Sequence, residues 1–415
     1  MNLKLNKPAN IIFSKINLPG SKSISNRVLI IQALSCLPFS IQNLSDSDDT
    51  KHLNEALKNY STSSLIDVGH AGTDMRFLTA FLSLKNNSYE LTGSERLQQR
   101  PVKDLVEVLQ KLGADIKYKN NVGYPPLLIK GKQLEGGKVE INGNVSSQFI
   151  TALLLVAPYF TNGLELVIKN ELVSKPYVNM TIELMKEFGA TVMWNENTIT
   201  VQPNPYSYHK KEYTVESDWS AASYYYSWIA FSKIGTSLTV GDLFQNSLQS
   251  DSTCDVIYKN FGVSTKYLKN EIVITKCDAH DNNKMFEYDF IQCPDIAQTV
   301  ACTCIGLQIP FNFTGLQTLK VKETDRIIAL QNEFKKLGFE IQVTENSIKW
   351  IGTKSDFTPH DISIATYNDH RMAMSFAPLC LVYDTIIVED AMVVSKSYPL
   401  FWEHLKKLGI DSNEI

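Results

Sequence analysis

One pattern constrains this chain more than any other: an amphipathic helix that ends in glycine and runs into a short β-branched strand. It recurs as LVEVLQKLGADI, TIELMKEFGATV, VIYKNFGVST, LQNEFKKLGFEI and FWEHLKKLGI, with the glycines at Gly113, Gly189, Gly262, Gly338 and Gly409. Successive glycines stand roughly 76, 73, 76 and 71 residues apart, a period too long for a solenoid and regular enough to imply duplicated units. TKHLNEALKNYSTSSLIDV reads as a degenerate sixth copy. Glycine has a mechanical reason to stand there, because the residue past a helix end often takes a positive φ that a Cβ would oppose. Between these helices, VEINGNVSSQFITALLLVAPYF and EYTVESDWSAASYYYSWIAF each read as strand, loop, then buried helix. The implied fold class is α/β (α+β), built from six units in two groups of three. At 415 residues the chain exceeds what one core usually organises, which also points to two domains.

A second pattern lies at the helix starts. LPGSKSISNR sets Ser21, Lys22, Ser23, Ser25 and Arg27 after a Pro-Gly turn, with the serines available as N-cap and hydroxyl donors. HAGTDMRFL puts Gly72 and Thr73 on a turn opening an apolar helix, with Arg76 one turn in, and SERLQQRPV ends in Arg100-Pro101. GNVSSQFITALLL offers Ser146, Ser147 and Gln148, and LVSKPYVNM adds Ser174, Lys175 and Tyr177. KVKETDRI packs Lys322, Glu323, Asp325 and Arg326 before a helix, YNDHRMAM places Asp369, His370 and Arg371 likewise, and Lys396 precedes the last helix. Singly, each is an ordinary solvated helix start. Repeated unit after unit, they put N–H groups, hydroxyls and cations where anions bind, and they predict an enzyme for highly anionic small molecules.

The whole chain is not basic, so that positive field must be local. The formal net charge is -4, which argues against a general nucleic-acid or membrane-surface role. No apolar run is long enough to span a bilayer, and MNLKLNKPANIIF lacks a signal-peptide core, so a cytoplasmic protein is expected. The seven cysteines (Cys36, Cys254, Cys277, Cys293, Cys302, Cys304, Cys380) show no paired metal spacing and read as reduced and structural. There is no Walker loop, dinucleotide fingerprint or His-Glu-x-x-His pattern. Within the cationic field two carboxylates stand out. Asp295 follows a proline and reads locally as an N-cap, while Glu323 is placed either for proton transfer or for a structural ion pair.

Taken together and in order, PGSKSISNR, AGTDMRFL, Arg100-Pro101, SSQF, SKPYVNM, Pro294-Asp295, KETDR and DHRMAM resemble the enolpyruvyl transferase family, and within it the 5-enolpyruvylshikimate-3-phosphate synthases. The resemblance spans essentially the whole chain. It implies a two-domain inside-out α/β barrel, each domain made of three duplicated βαβαββ units that close on substrate. It places residues 1–19 and 216–415 in one domain and 20–215 in the other, with hinges near 19–21 and 215–218. The implied reaction joins shikimate 3-phosphate to phosphoenolpyruvate and releases phosphate, with no cofactor and no metal, in a monomer that needs neither nucleic acid nor membrane.

The same resemblance implies roles for individual residues. Lys22, Ser23, Arg27, Ser146, Ser147, Gln148, Ser174, Tyr177, Asp295, Thr318 and Lys322 would hold shikimate 3-phosphate. Lys22, Gly72, Arg100, Gln148, Arg326, Arg371 and Lys396 would hold phosphoenolpyruvate. Asp295 would take the 5-hydroxyl proton, Glu323 would protonate the methylene, Lys22 would touch both substrates, and His370 would assist near Glu323. Because these residues come from both domains, closure would assemble the site. Two positions depart from the family pattern: His70 stands where asparagine is usual before Ala-Gly-Thr, and Thr318 stands where asparagine is frequent; neither change removes a charge. Two rivals remain. The UDP-N-acetylglucosamine enolpyruvyl transferases usually carry Lys-Asn at the first motif and a reactive cysteine before the equivalent of Arg100, against Lys22-Ser23 and SERLQQR here. A non-catalytic anion-binding relative would have little reason to keep both Asp295 and Glu323.

Overall fold

The computed structural model describes residues 1–8, 15–144, 146–172, 174–280, 284–353 and 362–415. The chain divides into two compact units, Gly20–Val215 and the discontinuous Met1–Pro19 with Glu216–Ile415.

Five four-stranded sheets share one strand order, two in the first unit and three in the second. The sheet begun by Gly137–Asn142 shows how it arises. That strand pairs in parallel with Leu164–Lys169, and parallel neighbours need a crossover, which the helix Ser147–Val156 supplies. A second helix, Lys175–Glu187, leads to the antiparallel pair Val192–Asn195 and Thr198–Val201, with the later strand inserted beside Leu164–Lys169. The same β-α-β-α-β-β course runs through Leu65–Asp67, Ser88–Thr92, Asp115–Tyr118 and Leu127–Lys130. In the first unit the remaining sheet has only two strands, Ser40–Gln42 parallel to Glu212–Thr214.

The second unit uses the same course three times. One sheet takes its first strand, Lys15–Asn17, from before residue 20. The last is completed by Leu3–Asn6, which lies between Thr385–Val388 and Asp411–Glu414 with Leu3 opposite both Val388 and Glu414.

Two kinds of helix follow from two kinds of sequence. The crossover helices have no solvated polar face and are buried nearly all round. In Gly72–Ser83 only Thr73 escapes burial, and in Trp219–Ala230 only Ser220. The second helix of each course is amphipathic, as in Lys103–Lys111 and Arg326–Lys336, and it is these helices that end in glycine. Gly113, Gly189, Gly262, Gly338 and Gly409 all take positive φ, between 70° and 104°. The sixth, degenerate copy forms the helix Asp48–Asn59, which ends on Tyr60 in right-handed conformation without a glycine.

Gly20 is needed for a different reason. A β-carbon there would stand 1.8 Å from the carbonyl oxygen of Asn43 and 3.2 Å from Val215 Cγ1. Asn43 Nδ2 in turn donates to the Val215 carbonyl at 2.9 Å, so the two ends of the first unit are tied together. All seven cysteines are free; Cys36 and Cys277 are exposed and the other five are buried. Among the described residues no helix is long and apolar enough to cross a membrane.

Candidate active site

Each buried crossover helix begins at a cluster of polar residues, and the candidate residues collect in two groups, one per unit.

In the unit Gly20–Val215, the helix Lys22–Leu34 carries the first group. Ser21 occupies its N-cap position but makes no side-chain cap bond, so the cap expected from the sequence does not form. Ser25 instead accepts from the backbone N–H of Ser45 at 2.9 Å. Lys22 Nζ lies 3.0 Å from Asp49 Oδ2. Arg27 is buried and among the described residues has no carboxylate in salt-bridge contact: it donates to Thr181 Oγ1 at 2.8 Å, to the Ser23 carbonyl at 2.7 Å and to the Tyr177 carbonyl at 3.3 Å. That brings Ser23, Arg27 and Tyr177 together. Burial pushes the Arg27 guanidinium down to about 10, which leaves it charged near neutrality.

Gly72 opens the next buried helix, and Arg100 lies against it; a β-carbon on Gly72 would meet Arg100 Nη1 at 2.4 Å. Arg76 pins both neighbours by donating to the Gly72 carbonyl at 2.9 Å and the Pro101 carbonyl at 3.0 Å. Its Nε is buried with no hydrogen-bond partner among the described residues. Burial, then the like charge of Arg100, push Arg76 down to about 9. Gln148, one residue into the third buried helix, donates to Thr73 Oγ1 at 3.0 Å and so joins Ser146 and Ser147 to this turn. Ser146 caps that helix through the N–H of Gln148. Ser174 precedes Lys175–Glu187 at φ 58°, a left-handed conformation. Lys175 turns away onto the Trp194 ring, 5.0 Å from its centroid. The unusual His70 is exposed and shares a 2.8 Å hydrogen bond between its Nδ1 and Ser94 Oγ.

In the other unit the charges are denser. Arg326, with 2% of its side chain exposed, lies among three carboxylates: Asp369 at 2.6 Å, Glu323 at 2.9 Å and Asp295 at 3.3 Å. Burial works against its charge, but Asp369, Glu323 and Asp295 outweigh burial and raise its pKa. Asp295 does not cap the helix Ala297–Leu307, as its position after a proline suggested, because Ile296 stands at that cap. Its carboxylate is met instead by Lys322 Nζ, Arg326 Nη1 and Arg371 Nη2, each at 3.3 Å. Arg371 also donates to the Asp295 carbonyl at 3.0 Å and to Ser220 Oγ at 3.3 Å. Asp369 caps His370–Phe376 through the N–H of Arg371, which fixes the backbone of the buried His370. Lys396 donates to the Asn368 carbonyl at 2.7 Å and so joins this loop. Thr318 lies in the turn Gln317–Val321, with a buried Oγ1 that has no hydrogen-bond partner among the described residues.

Three acids, Asp49, Asp74 and Asp251, went unread in the sequence, and a fourth, Asp369, was read only as part of a helix start. Asp49 holds Lys22, Asp74 accepts from Asn26 at 2.9 Å, Asp251 accepts from Ser220, and Asp369 holds Arg326. Asp49, Asp251 and Asp369 lie in first-turn or cap positions, where an acid is expected for the helix dipole alone, so nothing local marks the distant cation or hydroxyl that each meets. Among the described residues, no group of three or more His, Cys, Asp or Glu is arranged to hold a metal ion.

Helix starts with hydroxyls and cations are suited to anions, and the carboxylates set among the cations are most numerous around Arg326 and Arg371. Comparison with known proteins agrees with that chemistry. The family model EPSP synthase (3-phosphoshikimate 1-carboxyvinyltransferase) matches residues 7–65 and 59–405. A 3-phosphoshikimate 1-carboxyvinyltransferase of Bacteroides fragilis (strain YCH46) is 46% identical over 411 residues, covering 99% of this chain and 98% of that protein. One from Histophilus somni (strain 2336) is 35% identical, covering 97% and 98%. A solved EPSP synthase structure from Acinetobacter baumannii superposes with a TM-score of 0.80 over all of both chains at 21% identity, a likeness of fold.

Proposed function

The chain belongs to the EPSP synthase (3-phosphoshikimate 1-carboxyvinyltransferase) family, and from that premise we propose how its residues carry the enolpyruvyl group of phosphoenolpyruvate to the 5-hydroxyl of shikimate 3-phosphate. Ser23, Arg27, Ser146, Ser147, Gln148, Ser174, Tyr177, Thr318 and Lys322 hold shikimate 3-phosphate. Lys22, Gly72, Arg100, Gln148, Arg326, Arg371 and Lys396 hold phosphoenolpyruvate, with Lys22 serving both substrates. The unpartnered hydroxyl of Thr318 supports its share in this, since a buried polar atom without a partner is costly unless a ligand meets it.

Glu323 gives a proton to the methylene carbon, which makes C2 electrophilic. The 5-hydroxyl oxygen attacks C2 while Asp295 takes its proton. In the tetrahedral intermediate so formed, the Glu323 carboxylate takes a proton back from the new methyl group, the C–O bond to phosphate breaks as Asp295 returns its proton to the leaving group, and the enol ether and inorganic phosphate result. His370 assists on the Glu323 side. Fixed cations are what this path needs, since negative charge grows on the leaving phosphate.

The observation that carries the reading is the contact of Asp295 with three cations at 3.3 Å each. A carboxylate so held is kept charged and oriented. When anionic substrate draws on Lys322 and Arg371, Asp295 is less compensated and becomes a better base. Purified protein is therefore expected to release phosphate from phosphoenolpyruvate only when shikimate 3-phosphate is present, and not when UDP-N-acetylglucosamine replaces it. Asp295→Asn and Glu323→Gln are each expected to lower kcat by about 10²–10⁴-fold with little change in KM. Tight binding of both substrates without turnover would instead make the chain a binding protein. We further place the enzyme in the cytoplasm as a monomer, for which light scattering should return the mass of one chain.

A further inference from the structure

Asp251 is 4% exposed and takes no part in the chemistry above. It lies in the turn Ser250–Thr253, where its Oδ2 accepts the hydroxyl proton of Ser220. Ser220 is the residue of Trp219–Ala230 that escapes burial. A serine hydroxyl has one proton and two lone pairs. With the proton committed to Asp251, a lone pair of Ser220 Oγ is left for Arg371 Nη2 at 3.3 Å, and the same nitrogen lies 3.3 Å from Asp295 Oδ2. The other Asp251 oxygen is buried with no hydrogen-bond partner among the described residues. A buried carboxyl satisfied on one oxygen is poor structural material, because an uncharged acceptor would orient a serine at lower desolvation cost.

We propose that Asp251 is a positioning residue, which through the Ser220 hydroxyl fixes the Arg371 guanidinium against Asp295 and tunes the proton affinity of Asp295 by its own charge. The proposal rests on the reading of Asp295 as base. The groups facing Asp251 are Asp295, Arg371, Asp218, Ser220 and the thiols of Cys254 and Cys293. Burial and then Asp295 push the Asp251 carboxyl up, Arg371 and Ser220 oppose them, and the result is about 7. Asp251 therefore changes charge across neutrality. Once ionised, it raises the energy of a second negative charge at Asp295, so Asp295 accepts a proton more readily.

The test is the pH dependence of kcat from about pH 6 to about pH 9, with both substrates saturating, in wild type, Asp251→Asn, Ser220→Ala and Ser220→Thr. Asp251→Asn keeps an acceptor oxygen for Ser220 but cannot ionise. It is expected to match wild type within about twofold at the acid end and to fall about tenfold below it at the alkaline end, with KM for shikimate 3-phosphate unchanged. Ser220→Ala should raise KM for phosphoenolpyruvate at every pH, and Ser220→Thr, which keeps the hydroxyl, should restore it. An Asp251→Asn enzyme whose kcat is unchanged, or lowered by one factor at every pH, overturns the proposal. Should Asp251→Asn fail to fold, a Ser220→Ala enzyme with wild-type KM for phosphoenolpyruvate overturns it alone. Asp295→Asn, assayed alongside, separates the two readings. Wild-type turnover there removes the base assignment itself, whereas a dead Asp295→Asn beside a pH-insensitive Asp251→Asn effect removes only the role of Asp251.

Discussion

Gly72→Ala isolates the share of Arg100 in holding phosphoenolpyruvate. The new β-carbon would stand 2.4 Å from Arg100 Nη1, 2.8 Å from Cζ and 3.0 Å from Nη2. Ordinary contact needs about 3.5 Å, so one partner must move by about 1 Å. The backbone cannot retreat, because Arg76 holds the Gly72 carbonyl at 2.9 Å and the Pro101 carbonyl at 3.0 Å. The guanidinium is the far end of a flexible side chain and yields instead. Stability should hardly change, within about 0.5 kcal/mol, since position 72 is a helix start outside the positive-φ region and alanine suits a helix. A charged hydrogen bond is worth about 1.5–3 kcal/mol, and losing most of one raises KM for phosphoenolpyruvate by about 10- to 100-fold. The assay is the initial rate of phosphate release against phosphoenolpyruvate concentration at saturating shikimate 3-phosphate, beside a thermal melt. Removing Arg100 as well should add little, because its contact is already spent. A Gly72→Ala enzyme with a normal melt and an unchanged KM for phosphoenolpyruvate refutes the reasoning. A rise confined to the KM for shikimate 3-phosphate would assign Arg100 to the other substrate.

Two further perturbations test the first unit. Burial, then the charge of Asp49, hold the Asp74 carboxyl well above its ordinary range against the pull of Lys22. Between the unfolded value, near 3.8, and that raised native value the unfolded chain binds fewer protons, so wild-type stability falls as pH rises through the window. Asp74→Asn should flatten that fall, visible as a smaller loss of Tm between about pH 5 and about pH 8; a parallel decline in both proteins contradicts it. Gly20→Ala drives a β-carbon to 1.8 Å from a backbone carbonyl, which no side-chain movement relieves. The first unfolding transition in urea should lose about 3 kcal/mol or more, and an unchanged midpoint would mean that the close approach of Gly20 to Asn43 is absent in solution.

What could be read from the sequence was what the backbone demands locally. Five glycines spaced along the chain mark helix ends, and all five take the positive φ that only glycine adopts without strain. The apolar runs around Thr151 and Ser223 likewise announced helices buried on every side. Side-chain partnership across the chain was not legible. Asp295 looks like a cap by position, yet its carboxylate faces three cations, two of them more than 30 residues away in Arg326 and Arg371. Ser21 looks like a cap and makes no cap bond. Asp49 looks like a first-turn acid and Asp369 like a cap, and they also hold Lys22 and Arg326. A carboxylate at a helix start is satisfied by the dipole or by a distant cation, and the residues beside it are the same in both cases.

The strand Leu3–Asn6 sets the order in which the molecule can be made. It lies between Thr385–Val388 and Asp411–Glu414, and the N–H of Ile415 donates to the Asn2 carbonyl. Leu3–Asn6 therefore waits for Asp411–Glu414, made about 400 residues later, while Gly20–Val215 has all its described sheet partners as soon as Val215 emerges. On a ribosome the inserted unit can fold while Leu3–Asn6 and Lys15–Asn17 of the flanking one still await their partners. A nonsense change near residue 400 would accordingly spare the first unit and leave Leu3–Asn6 with only one of its two neighbours, a truncated product native in one unit and exposed to proteolysis in the other.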